Sequence, residues 1–288
     1  MYLAMVRDQR PLEGPRSPDG LVTKRESPLQ RRLFLVAVSR GARSSLDLMG
    51  HSRPWRAVVF DLDDTLYPER EYVASGFRAV AAWAHENLGV AHDETFAELV
   101  TLFASGIRGK TFDVWAHKRG MDGRRLVPQL IEIYRSHEPQ ISAFPGMPQL
   151  LERLTAICRV GLVSDGGESV QQRKLRALGL ATFLDAVVFS DCLGRDSWKP
   201  SRRPFDVVLS RLGVNGEDAV YVGDNPAKDF LGARLAKMSS VRLRHPDGLH
   251  WAIEPARPEL APDCEVRSVG ELASVFFEQL AQVKTQFD

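Results

Sequence analysis

The sequence has few cysteines, and their arrangement argues against two classes of protein. Three occur in 288 residues, Cys158, Cys192 and Cys264, and no two of them have CxxC spacing. Disulfide-stapled secreted domains carry a denser, even-numbered set, and structural zinc sites need paired ligands at short spacing. We therefore expect a cytoplasmic protein of a reducing compartment, with neither a disulfide framework nor a zinc site.

Long apolar runs and net charge are also missing. No run approaches the ~20 apolar residues that a membrane-spanning helix needs, and the formal net charge is only +1. We expect neither a membrane nor a nucleic-acid partner. The sequence leaves the oligomeric state open.

The charge is unevenly distributed, because residues 1–56 hold eleven Lys and Arg against five Asp and Glu. Residues 1–54 show no sustained periodicity, and we interpret them as a basic, disordered extension. Arg31 and Arg32 before an apolar run resemble a twin-arginine export signal, but residues 33–38 fall short of the roughly 7–15 apolar residues required. Alternatively, Met49 is the natural start, and the sequence does not decide whether residues 1–48 belong to the protein.

From residue 56 onward, short apolar runs alternate with helical patterns. The runs are typical of strands buried on both faces, and the predicted strands are Ala57–Phe60, Val160–Ser164, Ala186–Ser190, Ala219–Gly223 and Val241–Leu243. The predicted helices between and after them are Pro148–Ile157, Ser169–Leu178, Phe205–Leu212, Asp229–Lys237 and Gly270–Thr285. This alternation predicts an α/β fold with a Rossmann-like, doubly wound and mostly parallel sheet.

The gap after the first strand is too long for a simple crossover. Residues 69–140 contain no convincing strand, but apolar residues recur there at spacings of three and four. We predict an inserted α-helical subdomain at 69–140, and a Rossmann-like catalytic core made of residues 55–68 and 141–288.

Polar side chains follow the predicted strands at their carboxyl ends, where ligands bind in doubly wound sheets. The groups are Asp61, Asp63 and Asp64; Ser164, Asp165 and Gly166; Lys199; and Asp224 and Asp229. Close carboxylates raise one another's pKa unless a cation lies between them, and oxygen-rich acidic sites suit Mg²⁺. A lysine and a serine can bind a phosphoryl group, and one carboxylate can attack phosphorus while another transfers protons.

Four segments of the sequence, "FDLDDT", "VSDG", "WKPSRRPF" and "GDNPAKD", occur in an order and spacing that resemble the haloacid dehalogenase-like (HAD) superfamily. The helical insert is similar to that family's cap. The resemblance implies that Asp61 is the nucleophile, forming an aspartyl-phosphate. It implies that Asp63 is the general acid and base, with a backbone carbonyl that also faces the metal. Asp64 is expected to be merely solvated.

The resemblance also implies the binding groups. Ser164 and Lys199 would hold phosphoryl oxygens, with Asp165 and Gly166 in the same phosphate-binding loop. The residues implied to hold Mg²⁺ are Asp61, Asp63, Asp224 and Asp229. We interpret Asp229 as a ligand, directly or through another group, or as a helix N-terminal acid.

The presence of Asp63 favours a phosphatase, because members that displace halide lack an acid/base carboxylate there. We predict a Mg²⁺-dependent phosphatase that hydrolyses a small phosphorylated metabolite, of the sugar phosphate, nucleotide or phosphoglycolate type. A phosphosugar mutase and a catalytically silent regulatory protein on the same scaffold remain alternatives. In the insert, Arg108 and Lys110 could contact a second anionic group. His245 and His250 lie in a Pro-rich connection and are expected to face solvent.

Overall fold

The computed structural model of the chain describes residues 55–285. Its six strands are β1 (Ala57–Phe60), β2 (Arg159–Ser164), β3 (Ala186–Phe189), β4 (Ala219–Gly223), β5 (Ser239–Leu243) and β6 (Cys264–Val266). The predicted basic extension, the twin-arginine alternative and the alternative start at Met49 lie outside the described residues.

The strands form one sheet in the order β3-β2-β1-β4-β5-β6, and every neighbouring pair is parallel. From β1 the chain winds outward through β2 to β3, and then crosses back to β4 on the other side of β1. Strand order therefore reverses between β1 and β4. In such sheets the crevice at the carboxyl ends of the two central strands is the usual ligand site.

Successive side chains of the central strands pack alternately into two apolar cores, one on each face of the sheet. Val58 and Phe60 belong to one apolar cluster, while Ala57 and Val59 belong to the other. The helices that complete this core region are α5 (Met147–Thr155), α6 (Glu168–Leu178), α7 (Arg203–Leu212), α8 (Asp229–Leu235) and α9 (Val269–Thr285). Helices α5, α6 and α9 contribute to the first cluster, and α7 and α8 to the second.

Five helices lie between β1 and β2; the first four precede α5, and we call the residues that hold them, 69–136, the helical insert. These four are α1 (Glu69–Leu88), α2 (His92–Ala104), α3 (Thr111–Lys118) and α4 (Gly123–Ser136). Their inward faces form a separate apolar cluster that includes Phe77, Trp115 and Leu130. The division of the chain at residues 54, 68 and 140 stays a prediction.

The predicted fold class is confirmed, but the last strand was not foreseen. Strand β6 has only three residues, too few for a periodic pattern to show. Strand β5 begins at Ser239 rather than Val241, because the side chain of Asp263 accepts hydrogen bonds from both the backbone N–H and the hydroxyl of Ser240. Those contacts secure a polar residue inside the sheet.

Among the helices of residues 55–285, none is both long and apolar enough to cross a bilayer.

Truncating Leu162 tests whether the side chains of the central strands are buried as described. Leu162 of β2 is fully buried, whereas Leu235 is 51% exposed. Leu162→Ala should lower the free energy of unfolding by about 2–5 kcal/mol, because it opens a cavity in the apolar cluster that helices cover on one face of the sheet. Leu235→Ala should change it by less than about 0.5 kcal/mol. Urea unfolding measures both, and equal losses would contradict the packing described.

Candidate active site

The loop that follows β1 presents the three acidic residues in different directions. The backbone N–H of Asp61 donates to the carbonyl of Val222 in β4 at 2.8 Å, so Asp61 continues the ladder at the switch point. Asp64 adopts a positive φ of 52°, a conformation that Asp tolerates better than most side chains. The chain then turns, and the N–H of Leu66 donates to the carbonyl of Leu62 at 3.0 Å.

The expectation that Asp64 is merely solvated is wrong. Its side chain is buried, and its two oxygens accept from the backbone N–H groups of Glu69 at 2.8 Å and Leu249 at 2.6 Å. Burial, followed by the charge of Asp224, raises the pKa of Asp64 to about 6. The residue thus joins the start of the insert to a distant loop.

Lys199 lies at the centre of the site and is completely buried. Its Nζ lies 2.7 Å from Asp61 Oδ1, 2.8 Å from Asp229 Oδ1 and 2.9 Å from the hydroxyl of Tyr221. Burial by itself would lower the pKa of Lys199, but the charges of Asp229 and Asp61 outweigh it and raise that pKa. The lysine is therefore held as a cation between two carboxylates.

Asp229 is packed against the end of β4. Its Oδ2 accepts the backbone N–H of Asn225 at 2.8 Å. A Cβ on Gly223 would lie 2.7 Å from the same oxygen, so this position needs glycine. Burial opposes ionisation of Asp229, but Lys199 and Lys228 outweigh it and lower the pKa of the carboxyl.

One oxygen of Asp61 accepts no hydrogen bond from the residues that the structure describes. Asp61 Oδ2 is buried and has no hydrogen-bond partner among residues 55–277, and Lys228 Nζ lies 4.0 Å from it. Burial raises the pKa of Asp61, although Lys199 and Lys228 act against that rise. A further positive group, or an electrophile, beside Oδ2 would stabilise the ionised form.

The acidic residues around this oxygen fit a divalent cation. Asp61, Asp224 and Asp229 each offer one carboxylate oxygen, and these oxygens lie within 4.8 Å of one another. Burial, with the charges of Asp229 and Asp61, raises the pKa of Asp224 to about 6, although a hydrogen bond from His250 acts against it. Mg²⁺ prefers oxygen ligands. Three neighbouring carboxylates, one with a buried oxygen that accepts no hydrogen bond from the described residues, therefore suit this ion.

Asp63 occupies a different environment. Its Oδ1 accepts from Lys174 Nζ at 2.7 Å and from the Tyr67 hydroxyl, and its Oδ2 accepts from Gln171 Nε2 at 2.9 Å. Burial opposes ionisation, but Lys174 and the three hydrogen bonds outweigh it and lower the pKa of Asp63 to about 2. Its carboxylate is not one of the three that lie within 4.8 Å of one another, and a metal contact through its backbone carbonyl stays a prediction.

The loop after β2 links Asp63 to the residues predicted to bind phosphate. Gln171 Nε2 also lies 2.6 Å from Ser164 Oγ and 2.8 Å from the carbonyl of Asp165. The carboxylate of Asp165 accepts from the Ser190 hydroxyl and from the backbone N–H of Lys199 at 3.1 Å. Asp165 therefore supports the lysine loop, and Gly166, at a φ of 115°, makes the turn into α6.

The expectation that His245 and His250 face solvent is wrong. His245 packs on the ring of Phe144, with ring centroids 4.4 Å apart. His250 Nδ1 lies 2.9 Å from Asp224 Oδ2. The connection after β5 therefore folds back over the carboxyl edge of the sheet, which its proline-rich composition did not reveal.

The two candidate specificity residues of the insert lie apart from this cluster. The guanidinium of Arg108 covers the ring of Phe103, 3.5 Å from its centroid, and donates to the Phe103 carbonyl. Lys110 immediately precedes α3. Within residues 55–277, neither side chain forms a hydrogen bond or ion pair with the acidic cluster, and their contact with substrate stays a prediction.

Comparison with known proteins now decides the family. A family model described as haloacid dehalogenase-like hydrolase matches residues 58–243. A glyceraldehyde 3-phosphate phosphatase of Methanopyrus kandleri is 32% identical over 77% of this chain and 97% of its own length. The chain belongs to the haloacid dehalogenase-like hydrolases. The predicted superfamily is confirmed.

Two further proteins illustrate the range of similarity. A phosphoglycolate phosphatase of Xanthomonas campestris is 31% identical over 68% of this chain and 89% of its own. The crystal structure of a putative HAD-hydrolase, YfnB of Bacillus subtilis, was solved bound to magnesium. It aligns with a TM-score of 0.59 at 21% identity, covering 78% of this chain and all of the other. At that identity the likeness shows the shared fold alone.

Within this haloacid dehalogenase-like site, sequence reasoning missed several residues that contact the predicted ones. Gln171 and Lys174 lie three positions apart on α6 and are both buried, with 1% and 4% exposure. Because residues three apart lie on the same face of a helix, this spacing was a sequence signal that the two polar side chains could act together. A second sequence signal was Tyr221, a residue with a polar hydroxyl inside an otherwise apolar strand. His250 carried no local signal, because its partner is 26 residues away.

Replacing the central lysine tests the buried ion cluster. Lys199→Met leaves Asp61 and Asp229 buried without their cation, and should lower the free energy of unfolding by about 3–5 kcal/mol at neutral pH without added metal. Lys237, paired with Glu217 at the surface, provides a matched control. Lys237→Met should cost less than about 1 kcal/mol. Urea unfolding compares them, and a Lys199→Met protein as stable as wild type would contradict the cluster.

Proposed function

We propose that this protein is a Mg²⁺-dependent phosphatase that hydrolyses a small organic phosphate monoester through an aspartyl-phosphate on Asp61. Its family and its phosphatase relatives establish the class, a phosphoric monoester hydrolase. One observation carries the mechanistic proposal. Asp61 is buried, one of its oxygens accepts from Lys199, and the other has no hydrogen-bond partner in the described part of the chain.

Asp61 suits nucleophilic attack because its carboxylate is fixed and desolvated. In the first step, a carboxylate oxygen attacks phosphorus while the ester P–O bond breaks. Lys199 sets the orientation of Asp61 through Oδ1, and its positive charge neutralises part of the negative charge of the phosphoryl group. The hydroxyl of Ser164, at the end of the neighbouring strand β2, is proposed to hold a phosphoryl oxygen.

Asp63 is proposed to move the protons. It protonates the departing oxygen in the first step, and then accepts a proton from the water that attacks phosphorus and restores Asp61. In the free enzyme Lys174 keeps Asp63 ionised. Negative charge on a bound phosphoryl group raises the pKa of a neighbouring carboxyl, which favours the protonated form when substrate is present.

Asp61, Asp224 and Asp229 are the residues proposed to hold Mg²⁺. When bound, the ion would neutralise charge on the phosphoryl group and on the buried carboxylates. Asp229 already pairs with Lys199 and Asn225, so its contribution is proposed to be mainly indirect.

The proposed substrate is a small phosphorylated metabolite, since the relatives named above act on glyceraldehyde 3-phosphate and phosphoglycolate. A panel of phosphorylated metabolites with phosphate release as readout would identify the preferred one. Transfer to a second hydroxyl of a sugar without phosphate release would instead support the mutase alternative. The cytoplasmic location stays a prediction.

Substitution of the nucleophile tests the reaction. Wild-type protein should release phosphate from para-nitrophenyl phosphate in the presence of Mg²⁺, and EDTA should stop the release. Asp61→Asn should reduce the rate to background, since an amide oxygen cannot form the intermediate. Asp206→Asn, on the exposed surface of α7, is the control for an added asparagine. Full activity of Asp61→Asn would exclude the proposed mechanism.

The role of Asp63 is tested by varying the leaving group. Phenyl phosphate releases a more basic oxygen than para-nitrophenyl phosphate and depends more on proton donation. Asp63→Asn should therefore reduce kcat/KM for phenyl phosphate about 10²–10⁴-fold, and reduce that for para-nitrophenyl phosphate much less. Equal losses on both substrates would show that Asp63 does not protonate the leaving group.

A further inference from the structure

The connection between β5 and β6 is fixed to the catalytic edge of the sheet by its backbone. The N–H of Leu249 donates to Asp64 Oδ2 at 2.6 Å, and the carbonyl of His250 accepts from Arg242 at 2.8 Å. The guanidinium of Arg244 holds the next residue through the carbonyl of Trp251. Three consecutive residues of the connection are therefore anchored, so the position of the His250 ring is defined.

Arg242 joins this connection to the strand that carries Asp224. It is completely buried, and its Nε donates to the carbonyl of Asp224 at 2.9 Å while its second terminal nitrogen donates to the carbonyl of His250. A buried guanidinium is stable only when its donors are paired. The same side chain therefore sets the backbones of Asp224 and His250 at a fixed separation.

The His250 ring then reaches the carboxylate of Asp224. Its Nδ1 lies 2.9 Å from Oδ2, and because an ionised carboxylate only accepts hydrogen bonds, Nδ1 is the donor. Within residues 55–277, no other group donates to this carboxylate. The hydrogen bond therefore fixes the rotation of the Asp224 side chain and leaves its second oxygen for another partner.

We propose that His250 is a positioning residue that orients Asp224 for the divalent cation of this site. The inference rests on the proposed function, because Asp224 is a proposed metal ligand there. Groups that hold a metal-binding carboxylate in place strengthen binding by restricting it to the productive orientation, and their loss typically weakens metal affinity 10–100-fold. Substrate contacts are predicted to be independent of His250.

The test is direct titration of the full-length protein with Mg²⁺, followed by calorimetry, with no substrate present. His250→Ala should weaken Mg²⁺ binding and raise the dissociation constant about 10–100-fold. His250→Asn should recover most of that loss, because its amide N–H can donate from nearly the position of Nδ1. At saturating Mg²⁺, kcat and KM of His250→Ala for para-nitrophenyl phosphate should return to within about threefold of wild type.

His92 supplies a matched control, since its Nδ1 also lies 2.9 Å from an aspartate, Asp93, on the exposed start of α2. His92→Ala should leave Mg²⁺ binding unchanged, and thermal melting would confirm that every variant is folded. If His250→Ala binds Mg²⁺ like wild type, the inference is wrong. If His250→Asn binds as weakly as His250→Ala, the imidazole acts as a ligand itself, which also contradicts a positioning role.

These outcomes are separable from failure of the proposed function. A wild-type protein that binds no Mg²⁺, or that releases phosphate equally well in EDTA, would overturn the metal-dependent function and this inference with it. A wild type that binds Mg²⁺ and loses activity in EDTA, together with an unaffected His250→Ala, would overturn the inference alone.

Discussion

The contact of buried Lys199 with Asp61 and Asp229 is the interaction on which the site depends. A fully buried lysine is costly unless its charge is compensated, and here two carboxylates and the Tyr221 hydroxyl surround it. Those partners come from the end of β1, from β4 and from the start of α8. The ion cluster therefore forms only when the end of β1, β4 and the start of α8 meet at the switch point of the sheet. In that arrangement Asp61 Oδ2 accepts no hydrogen bond from residues 55–277.

Around this cluster, neighbouring carboxylates acquire different properties from different surroundings. Asp63, two residues from Asp61, is held ionised by Lys174, Gln171 and Tyr67. Asp64, the next residue, accepts two backbone N–H groups and carries a raised pKa. Three acidic residues within four positions of the chain therefore lie in three different environments, and different neighbouring groups shift the pKa of each.

The positions of several site residues could be predicted, because the carboxyl ends of parallel strands lie at the same edge of the sheet. Residues that follow β1, β2 and β4 must meet at one edge, so the proximity of Asp61, Ser164 and Asp224 followed from the strand pattern alone. Lys199 lies in a loop several residues past β3, so the strand pattern placed it near this edge, and the family resemblance implied its role in binding the phosphoryl group.

The contacts that escaped prediction are those between side chains far apart in sequence. His250 and Leu249 reach the site from a connection whose prolines and glycine indicate only a surface loop. Strand β6 is too short to give a pattern. Asp64 looked solvated because its partners are backbone N–H groups, which no sequence pattern identifies.

The central claim, that Asp61 forms a covalent phosphoryl intermediate, is tested most directly by trapping it. Protein turning over para-nitrophenyl phosphate with Mg²⁺ would be quenched in acid within milliseconds, digested and sequenced by mass spectrometry. The account predicts a phosphoryl group on the peptide that contains Asp61, located on that residue and absent without substrate. A phosphoryl group on another side chain, or none at any time during rapid turnover, would contradict it.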